Sequence, residues 1–345
     1  GVECYNYSPL IYARDCENVA VTGKGVLDGQ GQAWWNWKKL QQAAARALYD
    51  AQSEGVPVNE RIFGTEEAAL RPQFMQTVHC RNVLVEGVTF TNGPMWTVHP
   101  VYCENVLVRG ITVRSEGPNT DGLNPDSCRT VLVEGCSFHT GDDCIAINSG
   151  MNEDGWRVAR PCENILIRDC VMSEGHGAVA IGSGMSGGVR NVSVRDCTVT
   201  GGDQGIRLKS MRGRGGYVEN VVFEDIQVAN LRREAIVLNM FYGSSTAASR
   251  SDAPPAFQNI HIRNVTCESA AVAVAIRGLP EQPIERVVLE DLHLNAVEGI
   301  HCQDAHGLAF NRIRGAIQQE PLFSCSNVRG LEVMNMTLTT TERRS

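Results

Sequence analysis

Four short strings carry the side chains that could do chemistry: Asn119-Thr-Asp-Gly122, Gly141-Asp-Asp143, Gly175-His-Gly177 and Arg207-Leu-Lys209. Carboxyl groups brought together can divide protonated and ionised roles between them, as general acid–base hydrolysis requires. The same three aspartates could instead ligate Ca²⁺. Arginine matches a planar carboxylate with its fork of donors, and lysine adds a point charge. Taken singly, each string has an ordinary reading: Asp-Asp after glycine as a solvated turn, a histidine between glycines as a turn residue, Arg-x-Lys as a solvated strand face. Gathered on one face, they would form a site for an acidic sugar polymer.

The elements that must position them are written as a repeat. Cys16-Glu-Asn-Val-Ala-Val-Thr-Gly23 reappears as Cys80-Arg-Asn-Val-Leu-Val-Glu-Gly87, Cys103-Glu-Asn-Val-Leu-Val-Arg-Gly110, Cys128-Arg-Thr-Val-Leu-Val-Glu-Gly135 and Cys162-Glu-Asn-Ile-Leu-Ile-Arg-Asp169. Copies without the cysteine begin at Asn191, Asn220, Asn259, Arg286 and Gly330. Each is a short alternating strand with β-branched inward positions. The copies often recur at 21 to 29 residues, with longer gaps where loops intrude. That period is too long for a hairpin and has no helical pattern, so it predicts one coil of a parallel β-solenoid. The asparagine sits at a bend, where tolerance of the left-handed conformation helps, and stacked copies can form a ladder. The cysteines before it line up as small buried groups. Lys38 to Leu70 breaks the pattern, and the Ala- and Gln-rich stretch there predicts a helical insertion near residues 38–70.

Aligning four rungs on Ser127, Ser149, Ser183 and Ser210 predicts the register of the site. Leu123, Ile145, Val179 and Ile206 form one inward column, and Pro125, Ile147, Ile181 and Leu208 another. Outward stand Asn124, Ala146, Ala180 and Arg207, then Asp126, Asn148, Gly182 and Lys209. Rungs lie about 4.8 Å apart. Asp121 is therefore expected beside Asp143, and Asp142 beside His176. Arg207 and Lys209 are expected one or two rungs on, roughly 5–10 Å from the acids.

Composition narrows the classes. The 345 residues carry a formal charge of −8, 43 % hydrophobic and 20 % charged residues, which are globular values. There is no lysine-rich stretch and no apolar run of membrane length, so neither nucleic acid nor a membrane is the expected partner. The 13 cysteines are tens of residues apart in the repeat and form no CxxC, so no metal site is expected of them. Residues 1–345 read as a single solenoid domain. No cap precedes Gly1, so a missing N-terminal piece is allowed for. Free stacked cysteines suit a reducing cytoplasm, while a lost leader would suit a periplasmic or secreted bacterial protein; both stay open. Oligomeric state is unknown.

The four strings, in this order and approximate spacing, resemble the polygalacturonase family of glycoside hydrolases, family 28, in its bacterial form. Gly25-Val-Leu-Asp-Gly-Gln-Gly31 followed by Trp34-Trp35, and Arg71-Pro72, are similar to its upstream signatures. The resemblance covers nearly the whole chain, most clearly Gly25 to Gly243. It implies an all-β fold, a right-handed parallel β-helix, and hydrolysis of α-1,4-galacturonosyl linkages in pectic polysaccharide or galacturonide oligosaccharides with inversion, without a cofactor or metal. It implies Asp142 as general acid, Asp121 and Asp143 as the groups that position and deprotonate water, and His176 as the residue that holds the acid's protonation state. Arg207, Lys209, Tyr242 and Asn119 would bind substrate, and Arg157 and Arg160 are weaker candidates. Trp96 and His99 could border the groove or simply pack. Asn148 and Gly184 depart from common bacterial patterns, which bears on subsite specificity. Exo action is favoured over endo, because the insertion and long loops can close one end of a groove. Other readings stay open: another pectic bond (rhamnogalacturonan, xylogalacturonan or a branched side chain), a calcium-dependent pectate lyase, or a non-catalytic carbohydrate-binding solenoid.

Overall fold

The computed structural model describes residues 1–243 and 252–340. The early coils pass through short strands on three faces, the later ones run through longer strands such as Ala256–Arg277 and Ile284–Ile317, and strands pair in parallel from coil to coil, making a right-handed parallel β-helix. One coil shows the unit: Arg81–Glu86 on the first face, Thr89–Thr91 on the second and Val98–Val101 on the third. Alternation of the first-face sequence turns one set of side chains inward. Val83, Val106, Val131, Ile165 and Val192 therefore stack in register and are buried. Burying such a side chain contributes roughly 1.5–3 kcal/mol.

The corner that opens the first-face strands needs a left-handed residue, their second residue in the early coils. Asn18, Asn82, Asn105, Asn164, Asn191, Asn220 and Asn259 supply it with φ of 55° to 58°. Their amides hydrogen-bond up the stack: Asn82 donates to Asn18 at 3.0 Å, Asn105 to Asn82 at 3.1 Å, Asn191 to Asn164 at 3.0 Å and Asn220 to Asn191 at 3.3 Å. Thr130 keeps the conformation, at φ 60°, but interrupts the ladder.

All 13 cysteines are free thiols. Cys80, Cys103, Cys128 and Cys162 are buried in the expected column, whereas Cys16 is exposed at the first coil. A second column, not anticipated, stands at the next corner: Cys136, Cys170 and Cys197 donate to the carbonyls of Glu134, Arg168 and Arg195 at 3.2 to 3.3 Å. A cysteine here fills the core and satisfies a corner carbonyl with its thiol.

The insertion is helical over a different range from the one expected. Helices span Gln32–Trp35, Trp37–Leu40 and Gln42–Ser53, followed by a 3₁₀ turn at Val58–Glu60. Gly55 and Pro57 stop the last helix, and most of the stretch from 54 to 70 is irregular. A further helix, Asn152–Val158, was not expected. It docks on the insertion through Asn152 to the Tyr49 hydroxyl at 2.6 Å and a buried Arg61–Asp154 ion pair at 2.7 Å.

On the third face, Leu123 bridges Ile145, Ile145 pairs with Val179, and Val179 with Ile206, as the serine alignment predicts. The outward column Ala146, Ala180 and Arg207 is in register too.

Candidate active site

The acids stand where the chain turns from the second face into the third. Asp121 and Asp143 lie two residues before the bridged Leu123 and Ile145, in the bends that enter the third face, and both are buried. Cys144 turns into the core beside Ile145, which leaves Asp143 on the side of the outward Arg207 and Lys209, next to the less buried Asp142. Asp142 Oδ1 lies 3.0 Å from His176 Nδ1, and their side chains are 16 % and 53 % exposed, so this pair faces solvent. Oxygens of Asp121, Asp142 and Asp143 all come within 4.8 Å of one another. At Gly177 the floor is kept clear of a side chain: a Cβ there would lie 2.8 Å from Asp143 Oδ1 and 3.0 Å from the Arg207 side chain.

The cations are closer than rung spacing suggested. Arg207 Nη1 donates to Asp143 Oδ1 at 2.8 Å, and Lys209 Nζ to Asp143 Oδ2 at 2.6 Å. The backbone register is as expected, but both long side chains lean back over the bare floor, which replaces the 5–10 Å gap with direct contact. The Tyr242 ring lies 5.7 Å from the Arg207 guanidinium and 5.1 Å from the Lys209 ammonium, a cation–π arrangement.

Asn119 sits in the left-handed conformation, at φ 59°. Expected among substrate-binding residues, it has its amide engaged within the protein. Its Nδ2 donates to Asp142 Oδ2 at 3.1 Å, and its Oδ1 accepts from Arg71 Nη2 at 2.8 Å. Arg71, fully buried, also donates to the carbonyls of Pro94 and Pro118 and reaches Gln41 of the insertion. The sequence marked Arg71-Pro72 only as part of a signature. No periodic signal ties it to Asn119, 48 residues on.

The other candidates separate. Arg157 pairs with Glu3 and Asp154, which accounts for its charge away from the acids. Arg160 is half-buried and makes no ion pair among the described residues. His99 is buried edge-on to Trp96 at 4.8 Å and hydrogen-bonded to Gln76, so that pair packs. Asn124 is enclosed and donates to Asp121 Oδ2 at 2.9 Å.

Electrostatics divide the acids. Burial, reinforced by the charges of Asp142 and Asp143, holds the Asp121 carboxyl well above the usual carboxylate range. Its Oδ1 has no hydrogen-bond partner. Burial also works to raise Asp142, but the His176 hydrogen bond, the charges of His176 and Lys209 and the Asp143 N–H bring it below the usual range. That hydrogen bond raises His176 in turn, against the effect of its own desolvation. Burial opposes the Lys209 charge, yet Asp143 holds its ammonium above the ordinary value. The two shifts have opposite sign, so Asp121 favours the protonated form and Asp142, against His176, the ionised one. The two acids are coupled and share their protons as a pair.

A groove of about 850 Å³ opens beside the acids along the later rungs of the third face. Arg207, Lys209 and Tyr242 form its near end, and Arg277, Gln303 and Ser326 lie further along. On the other side of the acids stands the insertion: burial lowers the Lys38 ammonium and the charge of Asp142 partly restores it, while burial brings Arg71 down to about 10.

Residues 58–312 match the model of glycosyl hydrolases family 28. The chain belongs to that family. It is 32 % identical over 298 residues to a probable polygalacturonase of Vitis vinifera, covering 84 % of this chain and 55 % of the grape protein. It is 28 % identical to endopolygalacturonase I of Aspergillus oryzae, covering 75 % of this chain and 62 % of that one. This family 28 chain thus spans between half and two thirds of those relatives. It superimposes on the hyperthermoactive exopolygalacturonase of Thermotoga maritima with a TM-score of 0.81, at 39 % identity, over 97 % of this chain and 73 % of the other.

Proposed function

We propose that the protein removes galacturonate from the end of a pectic chain by hydrolysis of α-linked galacturonosyl bonds. The observation that carries this reading is the joining of the acid cluster to a cationic groove: Asp143 holds Arg207 and Lys209 at the mouth of the groove, 2.8 and 2.6 Å away. A uronate carboxylate beside Arg207 and Lys209 would place the adjoining glycosidic bond over the acids. Asp142, the most exposed of the three, protonates the leaving oxygen. A water held by Asp121 and Asp143 attacks the anomeric carbon and gives up its proton to that pair. The cluster supplies the proton, passing it from Asp121 to Asp142 as substrate binds. His176 tunes Asp142, and Asn119 orients it from Arg71.

End-on action is supported by the insertion, which closes the Asp142 side through Arg71 and Gln41, while the groove runs away in the other direction. The likeness to the Thermotoga enzyme points the same way. Inversion comes with the family resemblance. Inverting enzymes commonly hold acid and base about 6.5–9.5 Å apart, whereas the nearest oxygens here lie within 4.8 Å. Proton NMR of the first-formed anomer tests this element on its own: the β-anomer is expected, and the α-anomer would overturn it.

The deciding experiment is a product profile on homogalacturonan, rhamnogalacturonan and short galacturonides. Monogalacturonate should accumulate from the first minutes. Early mixed oligomers would overturn end-on action, and cleavage of rhamnogalacturonan alone would move the substrate to another pectic bond. Three carboxylates this close could hold Ca²⁺, as a lyase would require, but two cations already compensate Asp143. Activity should survive chelation with no ultraviolet-absorbing product. Chelator-sensitive release of unsaturated sugars would replace hydrolysis with elimination.

A further inference from the structure

The groove beyond the acids has a composition that the reaction at Asp142 does not require. Among the described residues its lining carries five cationic side chains, Arg207, Lys209, Arg212, Arg233 and Arg277, and no carboxylate, on a chain whose formal charge is −8. Three of the five are already engaged: Arg207 and Lys209 on Asp143, and Arg212 on Glu281. Arg233 lies 3.6 Å from Glu234. Arg277 is exposed, lines the groove, and its guanidinium has no ion pair or hydrogen bond among the described residues.

The register fixes where it stands. Lys209 pairs with Asn239, Asn239 with Arg277, Arg277 with Gln303 and Gln303 with Ser326. The column is polar on every rung from Lys209 outward, and Arg277 lies two rungs, about 10 Å, beyond Lys209. A groove whose lining is cationic, with one guanidinium unpaired among the described residues and polar groups repeating along its axis, suits a polyanion lying lengthwise. A guanidinium without an internal partner is free to bind a carboxylate by paired, charge-assisted hydrogen bonds.

We infer that Arg277 binds a second uronate carboxylate, belonging to a sugar further along the chain than the one held at Arg207 and Lys209. The inference rests on the galacturonan reading of the site and extends it: the enzyme is built to prefer an acidic chain over a short fragment. Digalacturonate, anchored at the acids, is too short to reach Arg277; tetragalacturonate spans the interval.

The test is calorimetric and kinetic. Asp142→Asn provides a slow background on which digalacturonate and tetragalacturonate are titrated with Arg277 intact or changed to Gln. Arg277→Gln should weaken tetragalacturonate about tenfold, the scale of one charge-assisted hydrogen bond, and leave digalacturonate within about twofold. Arg277→Lys should recover part of the loss. In the otherwise native enzyme, Arg277→Gln should raise KM for the tetramer with kcat unchanged. Equal losses on both ligands, or none on either, would overturn the subsite. If the native enzyme cleaves no galacturonide, the activity reading falls while the titrations still decide Arg277. If tetragalacturonate does not bind at all, both fall.

Discussion

Along one corner of the solenoid, asparagines stack rung upon rung; along another, aspartates do. In the asparagine ladder each neutral amide donates to the one below it, the left-handed backbone recurs at φ 55° to 58°, and the pattern repeats wherever the coil is regular. The aspartate stack is short and internally opposed. Asp121 is buried beside two other carboxylates, with one oxygen unpartnered among the described residues, and the charges of Arg207, Lys209 and His176 and the amides of Asn119 and Asn124 offset the repulsion. The first arrangement satisfies its amides wherever asparagine recurs and breaks at Thr130, so its contribution is stability. The second raises one acid, lowers another and faces a groove, so its product is reactivity. The same stacking geometry yields a scaffold or a site according to whether the stacked groups can all be satisfied at once.

Removing a member of the opposed stack should therefore cost rate rather than fold. Asp142→Asn is expected to lower kcat on galacturonan at least about 10²-fold, the range of lost acid–base catalysis. Its melting temperature should match the native protein's or exceed it, because one like charge leaves the cluster. A variant that unfolds below the native temperature in proportion to its lost activity would show that the acids are structural, as the asparagines are.

His176→Ala should cost less rate and show itself in pH. The residue holds Asp142 below the usual carboxylate range by a hydrogen bond and a nearby positive charge. Without it the cluster binds protons more tightly, so the kcat/KM profile should move as a whole to higher pH. The linkage has the same sense. The stability that comes from the lowered Asp142 is present above the unfolded carboxylate value and is lost as pH falls through the folded one; the variant should lose less stability on acidification. A profile that stays in place, or moves to lower pH, would remove His176 from the control of the acid.

Much of both stacks was legible in the sequence, for a physical reason. A parallel strand repeats with period two, so aligning four serines fixed which side chains pair across rungs, and the Leu123–Ile145–Val179–Ile206 column followed. The asparagine corner was readable because few other side chains tolerate left-handed backbone. What escaped depends on side-chain reach and on coils of unequal length. Backbone spacing put Arg207 and Lys209 apart from the acids, but nothing in it says that both lean across Gly177. The resemblance put Asn119 among the substrate-binding residues, while its tie to Arg71, 48 residues away, has no repeat to announce it. Arg233 and Arg277 escaped because the coil from Asn220 to Asn259 spans 39 residues, so the usual repeat does not align them with Lys209. The helix bounds moved because the local preference for helix ends at Gly55 and Pro57, well before the insertion rejoins the coil.

The regular stack offers the complementary test, with the smallest effect on rate. Asn191 donates to Asn164 at 3.0 Å and accepts from Asn220 at 3.3 Å, at φ 57° and exposed to solvent. Asn191→Ala gives up both hydrogen bonds, each worth roughly 0.5–1.5 kcal/mol, and places a Cβ without a local hydrogen bond in left-handed backbone, which adds roughly 1–2 kcal/mol. Chemical denaturation should register a loss of about 2–5 kcal/mol, while kcat and KM stay at native values. Asn191→Gly separates the terms, since glycine adopts this conformation freely. It should recover the backbone share and retain only the hydrogen-bond loss. If Gly and Ala prove equally destabilised, the ladder's value lies in its amides alone; if Gly is as stable as Asn, the stacked hydrogen bonds contribute nothing and the asparagines recur only for their backbone. A change in kcat for either variant would mean that the two corners are mechanically coupled, and the division between scaffold and site would no longer hold.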